Sequence, residues 1–215
     1  MATQRRRMPA AQRREVILAA AEETFADQGY HGASLDEIAH SAGVSKALIY
    51  EHFESKRELH ASLLTAHAGE IFERVRAGAE HGQTSEERLR SGIDAFLGYV
   101  EEHDAAWRVL FRDSAEPDAA GVICAIQEQT THVIAALVAE AHEAGAEAGD
   151  DPSQRALRVD IYAQLLSGAV QSLALWWHEH PDVPRHLLVD RAMDFCWHGI
   201  ERAPGRPPPV ASAGP

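Results

Sequence analysis

The side chains best equipped for chemistry in this 215-residue chain cluster between Ser45 and Lys56. The Lys46 ammonium can donate to guanine O6 and N7, and Ala47 beside it permits close approach to a base edge or contact with a thymine methyl. One turn further on, the Tyr50 hydroxyl can reach a phosphate, and His52 and Lys56 would extend that reach along a phosphate backbone. The free N–H groups at the start of the following helix favour anions as well. Lys46 and Lys56 are the chain's only lysines. Taken singly, each reads as a solvated helix charge; taken together they describe a contact with nucleic acid. Reactive chemistry is scarce elsewhere. His178, Glu179 and His180 are adjacent, and successive helical positions point about 100° apart, so the three cannot converge on one metal. No GxSxG, HExxH or Walker pattern occurs, and Cys124 and Cys196 match no close-spaced ligand or disulfide framework. No catalytic centre, metal site or cofactor is expected.

The elements that must position these residues all read as helices. Ile17, Ala20, Ala21, Thr24 and Phe25 follow one helical face, and Gly29 supplies a stop. Ser34 followed by Glu37 is a capping box for a helix with Leu35, Ile38, Ala39 and Ala42 inward, closed at Gly43. Ser45 can cap the next helix, in which Val44, Ile49 and Phe53 face inward, and Ser55 with Glu58 forms a second box. Residues 34–53 thus form helix, tight turn and helix, a geometry that lets the second helix lie in a major groove while the first braces against the backbone.

Longer helices are expected at 55–80, 85–103, 104–113, 117–146, 152–178 and 184–202, with Pro117, Pro152 and Pro184 in first turns. Inward stripes run through Leu89, Ile93, Phe96, Leu97 and Val100, and through Ile123, Ile126, Val133 and Leu137. No segment alternates as a strand would, so the fold class is all-α. Residues 1–9, with Arg5, Arg6 and Arg7, form a basic arm expected to be disordered. The tail 203–215, with five prolines and two glycines, is expected to be disordered too.

Formal net charge is −13, which taken whole argues against a nucleic-acid binder. Its distribution argues otherwise, because residues 1–60 carry 8 Lys+Arg against 9 Asp+Glu and the remainder carries 12 against 24. A locally basic face on an acidic body is what a phosphate-docking module needs. The uncharged stretch Ile161–Trp177 is broken by Gln164, Ser167, Gln171 and Ser172, short of the roughly 20 apolar residues of a membrane span. With no signal-peptide pattern at the start, a cytoplasmic protein is expected.

At FADQGY and SLDEIAHSAGVSKALIYEHFESKREL, over roughly residues 13–64, the sequence resembles the TetR family of bacterial transcriptional repressors. Gly43, Val44, Ser45, Ile49, Tyr50, Phe53, Ser55 and Lys56 match in one register. The resemblance implies a homodimer in which residues 10–54 bind a double-stranded DNA operator and residues 55–202 bind a small effector and dimerise. It implies phosphate contacts at Tyr50, His52 and Lys56, with Ser34 among the DNA-binding residues and a base-reading edge around Ser45, Lys46, Ala47 and Leu48. Two positions depart: Leu48 stands where many members have threonine, and Glu51 adds an acid near the groove.

A regulator of this kind needs an effector site, and the large side chains indicate where. Trp107, Leu110 and Phe111 lie on one side of the short helix after His103, with Phe72, Phe96, Tyr99, Tyr162, Gln171 and Trp176 as co-liners or as plain core. The scarcity of Lys and Arg in this set favours an apolar or cationic effector over a phosphorylated one. For the dimer face, Leu165, Leu166, Ala169 and Leu173 form one stripe, and Leu188, Ala192, Phe195 and Gly199 another. Two such helices from each subunit make a four-helix bundle about a twofold axis. The rival readings are a helical protein-binding module, a small-molecule-binding protein without DNA binding, and a helical enzyme; none accounts for the register of residues 34–56.

Overall fold

A computed structural model describes residues 9–112, 117–143 and 151–201; the expected arm at 1–9, apart from Pro9, and the tail at 203–215 lie outside the described residues. Every described element is a helix: α1 (Ala10–Gly32), α2 (Leu35–Ser41), α3 (Lys46–Tyr50), α4 (Lys56–Glu80), α5 (Ser85–Glu102), α6 (Asp104–Arg112), α7 (Pro117–Glu143), α8 (Pro152–His178) and α9 (Arg185–Glu201). None of the described helices is long and apolar enough to cross a membrane.

Local chemistry sets the helix ends. Ser34 Oγ accepts the Glu37 N–H at 3.2 Å while Glu37 Oε2 accepts the Ser34 N–H at 3.0 Å, so the capping box closes in both directions. Ser45 Oγ accepts the Leu48 N–H at 3.2 Å to start α3. Ser55 Oγ accepts the Glu58 N–H at 3.1 Å to start α4, and the Glu58 carboxylate returns to the N–H of Glu54 instead of Ser55. Asp151 caps α8 through the Ser153 N–H at 3.1 Å, with Pro152 in the first turn. Gly29 interrupts α1 at φ 72° and ψ 171°, a region open in practice to glycine alone, and one further turn follows to Gly32.

Two compact units result. The first contains the chain up to Gly69 together with His103–Cys124. Here α2 packs on α1, α3 on α2, and α6 lies along α1. Its core holds Ile17, Ala21, Phe25, Ile38, Ile49, Phe53, Leu59 and Leu64, with Trp107, Val109 and Leu110 buried on α6. Arg108 of α6 reaches Asp27 of α1 at 3.4 Å. Between α1 and α4, His67 Nε2 stands 3.5 Å from Glu22 Oε2, and this hydrogen-bonded histidine, outweighing partial burial, holds the Glu22 carboxyl below its ordinary range.

The second unit contains Glu70–Glu102 and the chain from Ala125 onward, with α5 packed on α9 and α8 on both. Leu89, Ile93, Leu97 and Val100 are buried as the sequence pattern requires, and Phe96 is half-buried. On α7 the side chains of the expected Ile123 and Ile126 lie outside the described residues; among those described, Ile134 and Val138 are buried, one position on from the expected Val133 and Leu137, which are half-buried. The apolar run there is wide enough for either register, so packing decides. Ion pairs bind the helix surfaces together: Arg90 to Asp190 at 2.6 Å, and Arg185 to Asp94 at 3.0 Å and to Glu101 at 2.9 Å.

Candidate nucleic-acid interface

The turn between α2 and α3 is fixed by backbone bonds. Gly43 adopts φ 65°, in the left-handed region that disfavours side chains. This lets the Gly43 N–H donate to His40 O at 3.1 Å and the Val44 N–H donate to Ala39 O at 2.9 Å. These are the two bonds of a Schellman closure. The chain then re-enters a helix at Lys46 with Ile49 fully buried beneath it and Phe53 buried just beyond. With those two anchors inward, Ser45, Lys46, Ala47 and Tyr50 are exposed together, while Leu48 and His52 are half-buried at the edges. Of the expected base-reading residues, Ser45, Lys46 and Ala47 thus face outward with Tyr50, while Leu48 is half-buried; Ser34, before the first residue of α2, is half-buried too.

Two of the cations on this surface already have partners. Lys46 Nζ donates to Asp36 Oδ2 at 2.8 Å, and this hydrogen bond raises the Lys46 pKa above its ordinary value. Lys56 Nζ donates to the Ala33 carbonyl at 2.6 Å and lies 4.5 Å from the centre of the Tyr30 ring. Lys56 thus ties the end of α1 to the start of α4, a structural duty that its sequence position does not show. Tyr30 in turn packs against His60, which stands edge-on to Phe25. Asp36, Tyr30 and Ala33 are the residues that sequence reasoning missed; each acts across a gap between elements, and only the spacing of Asp36 from Lys46 about Gly43 hints at it.

The expected effector residues divide between the units. Trp107 and Leu110 are buried in the first, His103 is half-buried where α6 begins, and the side chain of Phe111 lies outside the described residues. In the second, Tyr99 is fully buried with the Arg74 guanidinium 5.4 Å from its ring centre. Phe72, Phe96, Tyr162 and Gln171 are half-buried, and Trp176 is exposed, stacked on His180 at 4.2 Å. A groove of about 520 Å³ in this unit is lined instead by His81, Arg90, Ser91, Asp94, His186 and Asp190.

Of the expected dimer residues, Leu165 and Phe195 point outward, 63% and 75% exposed. Leu166, Leu188 and Ala192 are buried in their own subunit's core, Ala169 and Leu173 are half-buried, and the burial of Gly199 lies outside the described residues. Leu157 and Ile161 continue the exposed stripe of Leu165 at four-residue spacing, and Leu175, Trp176 and Leu187 are exposed as well.

Comparison with known proteins assigns this architecture. Residues 17–63 match the model of bacterial regulatory proteins of the tetR family, and residues 85–199 match that of the tetracyclin repressor-like C-terminal domain. The chain belongs to the TetR family. A curated relative, the HTH-type transcriptional activator FasR of Mycolicibacterium smegmatis, is 31% identical over 200 residues, covering 92% of this chain and 87% of the relative. A TetR-like transcriptional regulator from Rhodococcus sp. RHA1 superimposes with a TM-score of 0.75 at 26% identity, covering 91% of this chain and all of that one. The Bacillus subtilis regulator FadR, solved in complex with stearoyl-CoA, gives a TM-score of 0.72 at 21% identity, covering 85% of this chain and 96% of that one. This chain is accordingly a ligand-responsive, DNA-binding transcriptional regulator, and its partners are operator DNA, a small ligand and a second copy of itself.

Proposed function

We propose that α3 is the helix that reads bases, and that the homodimer is a repressor released from a pseudo-palindromic operator by its effector. What carries this is the single outward surface of Ser45, Lys46, Ala47 and Tyr50 above a buried Ile49. Ser34, Leu48, His52 and Lys56 flank it and complete the DNA contact. We assign residues 10–54 to DNA and 55–202 to effector binding and dimerisation, with α6 serving as a packing partner of α1. Control is exerted by binding alone, with no catalytic step. The exposed stripe Leu157, Ile161 and Leu165 on α8, with Phe195 on α9, supports dimerisation through those two helices. Activation is the second reading, favoured by the name of the FasR relative.

For the effector, we infer an apolar acyl chain. Its support is the stearoyl-CoA of the FadR neighbour. Two half-sites one helical turn apart, about 34–36 Å, tolerate only a narrow range of dimer geometries, so a small repacking suffices to release DNA. Selection from a random duplex pool should enrich a pseudo-palindrome that binds with steep salt dependence. Stearoyl-CoA or free stearate should then displace it, and the two arms distinguish the thioester from the bare chain. No enrichment of any duplex would refute the assignment of α3. Indifference to both acyl compounds would refute only the effector class. Transcription from a promoter carrying the enriched site separates repression from activation.

A further inference from the structure

Lys46 is the cation best placed to meet a base, and the structure shows what occupies it meanwhile. Asp36 is the second residue of α2 and Lys46 the first of α3, so their 2.8 Å contact spans the Gly43 turn on its outer side. The fold does not depend on this pair. The Schellman bonds, the Ser34–Glu37 box and the Ser45 cap already close the motif. Both partners are also open to solvent, at 43% and 72% side-chain exposure, and an exposed pair of this kind is worth only about a few-fold in an equilibrium. A polyanion can therefore compete for Lys46.

What replaces Asp36 depends on the DNA. On an arbitrary duplex, the available partner is a phosphate, whose attraction is blind to sequence. At a guanine, O6 and N7 present two acceptors to one ammonium. The neighbouring carboxylate, Glu37, is already engaged by Ser34 through its side chain and backbone, which lowers its pKa, so it does not substitute for Asp36.

We propose that Asp36 is a specificity-determining residue of the DNA contact: it competes with sequence-independent phosphate binding for Lys46 and so weights Lys46 toward a base edge. This rests on the assignment of α3 as the reading helix. Asp36 is thus a positioning residue acting through Lys46, with no contact of its own required.

The test uses the full chain and two probes: an unselected pool of random duplexes, and one duplex enriched from that pool by the wild-type protein. Affinities are measured by anisotropy across a salt series for the wild type, Asp36→Asn, Lys46→Met and the double variant. Freeing both heads of a dimer should tighten Asp36→Asn on the unselected pool by about tenfold at low salt, a few-fold for each pair. It should also steepen the logarithmic salt slope by about two, one counterion per head. The enriched duplex should change less, so the specificity ratio falls, and Asp36→Glu should preserve it. In the Lys46→Met background, Asp36→Asn should do none of this. The same gain without Lys46, equal tightening of both probes, or no change on the pool would each overturn the proposal. If Lys46→Met itself alters neither affinity nor base preference, the assignment of α3 falls with it.

Discussion

Truncating Phe195 to alanine should weaken self-association by about two orders of magnitude while leaving each subunit folded. Phe195 is 75% exposed in the single chain, so its side chain contributes little to the core and much of its area is free to be covered by a partner. Fully burying a phenylalanine stabilises by roughly 2 kcal/mol, and three-quarters of that is about 1.5 kcal/mol. A twofold interface counts the residue twice, giving about 3 kcal/mol, or roughly a hundredfold in the dimer dissociation constant. Sedimentation over a concentration series reads the constant directly, and thermal melting reports on the fold. Leu166→Ala is the contrasting variant, because Leu166 is 3% exposed and belongs to its own subunit's core. Its cost, about 2–5 kcal/mol, should fall on folding and appear as a lowered Tm. A dissociation constant for Phe195→Ala within about threefold of wild type would refute the reasoning and remove the outer face of α9 from the interface.

Three further outcomes are expected. Gly43→Ala has room for its methyl group but must hold φ 65°, so denaturant titration should show a loss of about 1–2 kcal/mol, with weakened DNA binding. Lys56→Met removes a charged hydrogen bond to Ala33 O and should cost about 1.5–3 kcal/mol in the same titration, with a uniform loss of affinity across DNA sequences by anisotropy. Glu22 has a folded-state pKa below its ordinary 4.5, so its contribution is complete above that value and is lost as pH falls through the lower folded one. Glu22→Gln should therefore be less stable than wild type near neutral pH, and the gap should close on acidification below 4.5; a gap independent of pH in acid-unfolding curves would contradict this.

Contacts within one turn of helix were legible in the sequence, and contacts between elements were not. The Ser34–Glu37 box, the Ser45 cap and the Gly43 turn each depend on residues three to five apart, and the structure forms all of them. The Asp36–Lys46 pair and the anchoring of Lys56 on Ala33 join helices whose approach no local pattern encodes. The same limit explains the apolar faces. α8 is apolar around much of its circumference, so periodicity marked Leu165 and Leu166 alike, yet packing against α9 and α5 buries one and leaves the other to solvent. Trp107 and Leu110 read alike as a cavity wall or as core, and no local pattern shows that α6 lies against α1.

That α6 rests on α1 means the first unit is not one continuous stretch of chain. A ribosome releases α1 with a flank uncovered, and its partner emerges only after residues 70–102 have been made. A fragment ending at Gly69 would expose the surface that Trp107, Val109 and Leu110 help to enclose. Exchanging operator specificity between relatives by a single crossover after α3 would likewise take α1 from one parent and α6 from the other. Such a chimaera needs a matched seam, and Asp27 with Arg108 is where to begin matching it.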